Sequence, residues 1–149
     1  MPSVFRFFPS TRISDWATGA FGTPAAVPGA PDDLTATAGN TQAVLKWTAG
    51  AENFGTITGY KIEKNSGSWS DVTADTSSTS TSYTVTGLTN GTAYTFRVSA
   101  INEIGAGAVS SASSSTTPYT TPGAPSGLSA SAVAGEPTVS LSWSAPGDT

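Results

Sequence analysis

The groups in this chain that could do covalent or coordination chemistry are few. Its 149 residues include no Cys and no His, and six Lys plus Arg stand against ten Asp plus Glu. Without Cys there is neither a disulfide framework nor a thiolate zinc site, and without His the commonest metal ligand and general base are both missing. Serine is abundant, but a serine nucleophile needs a positioned base. The lysines on offer, Lys46, Lys61 and Lys64, fall on strand positions expected to face water. Asp32, Asp33, Asp71 and Asp75 lack the alternating oxygen ligands and glycine of a calcium loop, and read as solvated surface. No catalysis, cofactor or metal is expected. A net charge of -4 repels a phosphate backbone, so nucleic acid is not an expected partner. No apolar run approaches the ~20 residues of a membrane-spanning helix, so membrane insertion is not expected either.

Binding chemistry is better represented. Residues 1–27 hold Phe5, Phe7, Phe8, Trp16 and Phe21, five of the 14 aromatics, together with Arg6 and Arg12. Disordered tails are poor in aromatics and rich in charge, the reverse of this bias. These seven residues are therefore expected to form an anchoring arm buried against a partner chain, with the aromatics in pockets and the arginines at the rim. Arg6, Arg12 and Asp15 interrupt every run long enough for the apolar part of a secretion signal, so none is expected. Elsewhere, Trp69 and Tyr119 offer flat surfaces that a sugar could stack on, though such residues more often cover a sheet edge or fill a junction. Asn90-Gly91-Thr92 matches a glycosylation sequon, but Asn-Gly is also what a tight turn requires, and the turn is the favoured reading.

The elements that position these groups are strands. Ser and Thr make up 46 residues, with 16 Gly and 10 Pro, a helix-poor composition. Residues alternate with period two, apolar in and polar out. Leu45 and Trp47 share a face in residues 42–48, Tyr60 and Ile62 in 57–64, Tyr83 and Val85 in 82–86, and Tyr94, Phe96, Val98 and Ala100 in 92–102. Asn65-Ser66-Gly67 and Asn90-Gly91 mark turns, while Pro31 and Gly105-Ala106-Gly107 suit edge strands. The pattern then starts again. Pro28-Gly29-Ala30-Pro31, Leu34, Ala36 and Trp47 return as Pro122-Gly123-Ala124-Pro125, Leu128, Ala130 and Trp143. A period near 95 residues indicates whole domains in an array, with Leu128, Leu141 and Trp143 in the places of Leu34, Leu45 and Trp47. Because the second copy runs for only two strands, the chain is expected to be the front of a longer one.

Residues 28–118 resemble a fibronectin type III domain. The resemblance rests on Pro31-x-x-Leu34, Trp47, Gly59-Tyr60-x-Ile62, the run from Leu88 through Gly91-Thr92-x-Tyr94-x-Phe96-Arg97-Val98-x-Ala100-x-Asn102, and Gly105-x-Gly107. It implies an all-β, immunoglobulin-like sandwich of about seven strands. It also implies that Tyr94, following Leu88, forms a corner in which the phenol bonds back to the backbone. The adhesive Arg-Gly-Asp of some relatives is absent, so no binding residue is carried over. The organisation expected is an arm (1–27), a fibronectin type III domain (28–118), and a linker with a partial second repeat (119–149).

The expected function is structural. The chain reads as a non-catalytic component of a virus particle, such as a bacteriophage tail, fibre or capsid-surface protein present in many copies. Its arm would dock into other virion proteins, and its domains would project towards host surface glycans. The alternative is a module of a secreted bacterial carbohydrate-active enzyme or surface adhesin, placed outside the cell or on its surface.

Overall fold

The computed structural model describes residues 24–147. Seven strands form two antiparallel sheets. The first sheet has the order β1-β2-β5, from Asp32–Gly39, Gln42–Thr48 and Ser82–Thr86. The second has the order β4-β3-β6-β7, from Trp69–Thr73, Gly59–Asn65, Thr95–Ile101 and Ala106–Val109. The sequence pattern marked turns at Gly67 and Gly91 and placed the inward faces correctly except at Lys64, and β4, which has no clean alternation, is the strand it did not single out.

The core is where the two inward faces meet. Ala43, Leu45 and Trp47 of β2 and Val85 of β5 are buried, as are Tyr60, Ile62, Phe96, Val98 and Ala100 of β3 and β6. Leu34, Ala36, Val72 and Tyr83 pack around this cluster. Trp47 meets Tyr60 edge-on with ring centroids 5.0 Å apart, and Tyr94 stacks on Phe96 at 6.4 Å. The corner implied by Leu88 and Tyr94 is formed: the Tyr94 phenol oxygen accepts the Thr89 amide at 3.2 Å.

The last edge of the sandwich closes by a device the sequence analysis did not anticipate. Beyond β7 the chain stays beside β6 but advances three residues for every two of its neighbour. Ser110, Ser113 and Thr116 donate their amides to the carbonyls of Val98, Phe96 and Tyr94 at 2.8, 2.9 and 2.8 Å. The hydroxyls of Ser110 and Ser113 then accept the amides of Val98 and Phe96, at 3.0 and 3.1 Å. Ser110 and Ser113 thus supply both halves of their rungs, and the Val98 and Phe96 amides each find an acceptor. The Thr116 hydroxyl donates to the Ala36 carbonyl at 3.1 Å, which ties this strap to the opposite sheet.

Entry and exit of the chain are also fixed. Asn102, only 4% exposed, donates to the carbonyls of Ala26 and Gly55, and its side-chain oxygen accepts the amides of Ile104 and Gly105. Ala26 and Gly29 donate to the carbonyls of Asn53 and Ala51. Residues 26 and 27, assigned from sequence to the arm, therefore lie on the sandwich. Gly50 and Gly107 let this crossing happen, since a Cβ on either would run into the carbonyl of Gly29 or Pro28. At the exit, Gly91 donates to Pro118 and Tyr119 to Gly39.

A second hairpin follows, β8 (Ser126–Ala132) and β9 (Val139–Ser144), in a sheet of its own. Its pairing repeats that of β1 and β2: Ala130 faces Leu141 as Ala36 faces Leu45, and a register break falls at the same place in both. The strained positions correspond as well. Asp33 and Thr41, at φ of 53° and 53°, become Gly127 and Gly135, at 66° and 84°, where the residue without a Cβ adopts that conformation freely. Leu128, Leu141 and Trp143 do hold the places of Leu34, Leu45 and Trp47, but on an exposed face.

Phe96→Ala should cost ~3–5 kcal/mol in denaturant unfolding, through lost transfer energy and the cavity left behind. Ser113→Ala should cost about 1–3 kcal/mol by leaving the buried Phe96 amide without its acceptor. The exposed neighbour change Ser111→Ala should stay within about 0.5 kcal/mol.

Candidate functional site

The outer face of the second sheet carries a cluster of four charged side chains. On β3, Lys61 and Glu63 point away from the core because Tyr60 and Ile62 point into it. Pairing sets Glu63 opposite Arg97 of β6 on one side and opposite Asp71 of β4 on the other. Two carboxylates directly across from each other repel, and two cations resolve the conflict. Arg97 grips Glu63 with two parallel hydrogen bonds, Nε to Oε2 at 2.8 Å and Nη2 to Oε1 at 3.1 Å. Lys61 bridges the carboxylates, 3.5 Å from Glu63 and 3.0 Å from Asp71. The Arg97 guanidinium also lies over the Trp69 ring, 4.2 Å from its centroid. Two positive and two negative side chains cancel, so this cluster is neutral, with the Arg97 guanidinium stacked on the Trp69 indole towards the β4 edge.

Proton affinities follow from these contacts. The hydrogen bonds from Arg97, helped by the charge of Lys61, hold the Glu63 carboxyl below the ordinary carboxylate range against the opposing effect of burial. The hydrogen bond with Asp71, aided by the charge of Glu63, pushes Lys61 upward. The Thr89 amide lowers the Tyr94 phenol. Lys61, Glu63, Asp71 and Arg97 are thus paired with one another across three strands.

Other residues singled out from sequence have local roles. Asp71 pairs with Lys61, Asp75 accepts the Ser77 amide, Asp33 accepts the Thr48 hydroxyl, and Asp32 accepts the Asp33 amide. Among the described residues no three His, Cys, Asp or Glu gather as a metal-binding group. Lys46 and Lys61 face outward as expected, but Lys64 does not. It falls on the core side at the end of β3, where its ammonium lies 5.8 Å from the Tyr94 ring centroid. The Asn90 side chain is engaged through both atoms, with Oδ1 accepting from Thr41 and Nδ2 donating to Asn40. That favours the turn over the glycan acceptor. Trp69 is half-buried with one ring face covered by Arg97, while Tyr119 is 54% exposed and hydrogen-bonded to Gly39 of the first sheet. They are held by different sheets. The arm residues Phe5, Arg6, Phe7, Phe8, Arg12, Trp16 and Phe21 lie outside the described residues.

Glu63 gives this face a pH signature. A carboxyl with a lowered folded pKa contributes stability that is fully present above its unfolded pKa of ~4.3 and is lost as pH falls through the folded value. The stability difference between the native chain and Glu63→Gln should therefore be greatest near neutrality and shrink on acidification. Denaturant melts at several pH values measure it, and a constant difference would contradict the pairing.

Comparison with known proteins agrees with this geometry. The family model described as the fibronectin type III domain matches residues 29–117. Human protein sidekick-1 is 38% identical over 85 residues, 54% of this chain but only 4% of the human protein. Among solved structures, domains A168–A170 of titin align with a TM-score of 0.58 at 31% identity, covering 62% of this chain and 32% of theirs. Domains FN1–FN3 of chicken CNTN1 align with a TM-score of 0.57 at 27% identity, covering 69% and 37%. These relatives are mostly much longer chains, and the matches named here do not show the expected phage or bacterial resemblance. With its two-sheet order, its tyrosine corner and a family match over most of the described sandwich, the chain belongs to the fibronectin type III family.

Proposed function

We propose that this chain is a non-catalytic spacer and adhesion module: a stiff sandwich that holds one partner at its N-terminal side and presents its outer sheet face to another. The observation that carries the reading is the clamping of the chain where it enters and where it leaves. Asn102, Asn53 and Ala51 hold residues 26–29, while Gly39 and Gly91 hold residues 118 and 119. A domain with loose junctions would transmit neither distance nor direction. The long relatives support a modular use, since the matching domain is a small part of each.

The finer reading is that the module belongs to an assembled particle, a virion in the fullest form of the proposal, and is docked through Phe5, Arg6, Phe7, Phe8, Arg12, Trp16 and Phe21. The composition of that segment supports it: each large aromatic removed from water contributes roughly 1.5–3 kcal/mol. Four such rings are enough to hold a projecting domain. On the distal side the Trp69–Arg97 stack offers a planar, partly exposed cation to a host-surface partner.

Deleting residues 1–23, and no further, keeps every hydrogen bond that Ala26 and Gly29 make. The truncated protein should fold with an unchanged melting temperature and fail to co-sediment with its assembly. Normal incorporation of the truncated chain would sink the anchoring role.

A further inference from the structure

The two sheets of the sandwich have four edges between them, and three are blunted against pairing with another chain. β1 starts with Asp32 and Asp33, breaks register before Thr35, and has the carbonyls of Ala36 and Gly39 taken by the Thr116 hydroxyl and the Tyr119 amide. β4 carries Asp71 and meets β3 across a register break. β7 breaks register against β6 and passes into the strap that runs from Ser110 to Thr116. β5 has none of these devices. It pairs with β2 in unbroken register, and residues 76–96 contain neither a charge nor a proline.

The ladder shows which backbone groups of β5 are open. Trp47 donates its amide to the Thr81 carbonyl at 3.1 Å, so in this antiparallel register Tyr83 and Val85 turn their amides and carbonyls to β2, and Ser82, Thr84 and Thr86 turn theirs outward. Ser82 is covered locally, because its amide and carbonyl both bond the Ser80 hydroxyl, at 3.3 and 3.2 Å. Among the described residues nothing bonds the outward groups of Thr84 and Thr86, and both residues are exposed. Open groups on alternate residues of a straight edge are a template for one more strand.

We propose that the open edge of β5 pairs with the β5 edge of a second copy of this chain, antiparallel about a two-fold axis at Val85, so that two three-stranded sheets join edge to edge. Thr84 of each copy then exchanges amide and carbonyl with Thr86 of the other. The edge itself selects a second copy over an unlike strand. Being uncharged, it meets no like-charge repulsion on pairing with itself, and its outer row becomes threonine opposite threonine, a favourable cross-strand pair. On the inner row the half-buried Tyr83 comes opposite Gly87 of the other copy, where a Cβ would meet nothing within 4 Å, so each ring has an open place to lie. The contact is small and therefore weak between free molecules, and it gains from effective concentration wherever copies are held side by side.

The chain has no Cys, so Thr84→Cys and Thr86→Cys each carry a single thiol, on an exposed strand position outside the core. The two full-length variants are mixed in equal amounts and equilibrated in a glutathione redox buffer, where exchange reports the preferred pairing. The proposed register sets residue 84 of one copy opposite residue 86 of the other with Cα atoms about 5.5 Å apart, within disulfide reach, whereas identical positions lie on the longer diagonal. The mixed disulfide should exceed each homodisulfide by at least about tenfold, a preference of ~1.4 kcal/mol. A mixed product no greater than random collision gives would overturn the proposal. So would a dominant homodisulfide, which requires another register, or a mixture that yields glutathione adducts alone.

Discussion

An amphipathic β-hairpin is stable only when its apolar face is covered, and this molecule is organised around that constraint. The β1–β2 hairpin has alternating side chains and a turn, as does β8–β9, with the same register and the same break in it. What separates them is the second sheet. Where β3 and β6 present Tyr60, Ile62, Phe96 and Val98, the facing leucine and tryptophan leave water; where nothing is presented, they stay in it. Local pairing sets the shape of each hairpin, and sheet-on-sheet burial supplies most of the stability.

Once the two sheets are pressed together, the edges and ends need polar solutions. The strap from Ser110 to Thr116 is one. Its spacing of three lets small hydroxyl side chains turn inward towards β6, where they replace carbonyls that a regular strand would have offered. Asn102 is another, satisfying four backbone groups at the entry end from a single buried side chain. On the outer face the same logic appears in ionic form, because the register that aligns the core also sets Glu63 against Asp71. Lys61 and Arg97 are the required correction, and the Trp69–Arg97 stack is its by-product. The charged network of the outer face therefore follows from a packing requirement.

Much of this was legible in the sequence, and the boundary of legibility is physical. Period-two alternation over Leu45–Trp47, Tyr60–Ile62 and Tyr94–Ala100 states which face goes inward, and the structure buries those residues. The repeated hairpin was legible as a fixed spacing, and the tyrosine corner through the family resemblance. The Lys61–Glu63–Arg97–Asp71 network was not, since Glu63 meets Arg97 across 34 residues of sequence and meets Asp71 just past a register break between β3 and β4, neither of which a local pattern encodes. The inward side of Lys64 was missed for a related reason: alternation placed it with the core, but its charge argued for water, and its long stem allows both. The serines at 110, 113 and 116 were hidden by the number of serines around them. Only the neighbouring strand picks out one in three.

Amide hydrogen exchange on the 149-residue chain reads the central constraint directly, because it contains its own control. The account predicts that Ala36, Leu45 and their neighbours in β1–β2 exchange only through global unfolding, together with Phe96 and Val98, while Ala130, Leu141 and their neighbours exchange close to the unprotected rate. Equal protection of the two hairpins would contradict it, since identical pairing without a covering sheet would then be sufficient.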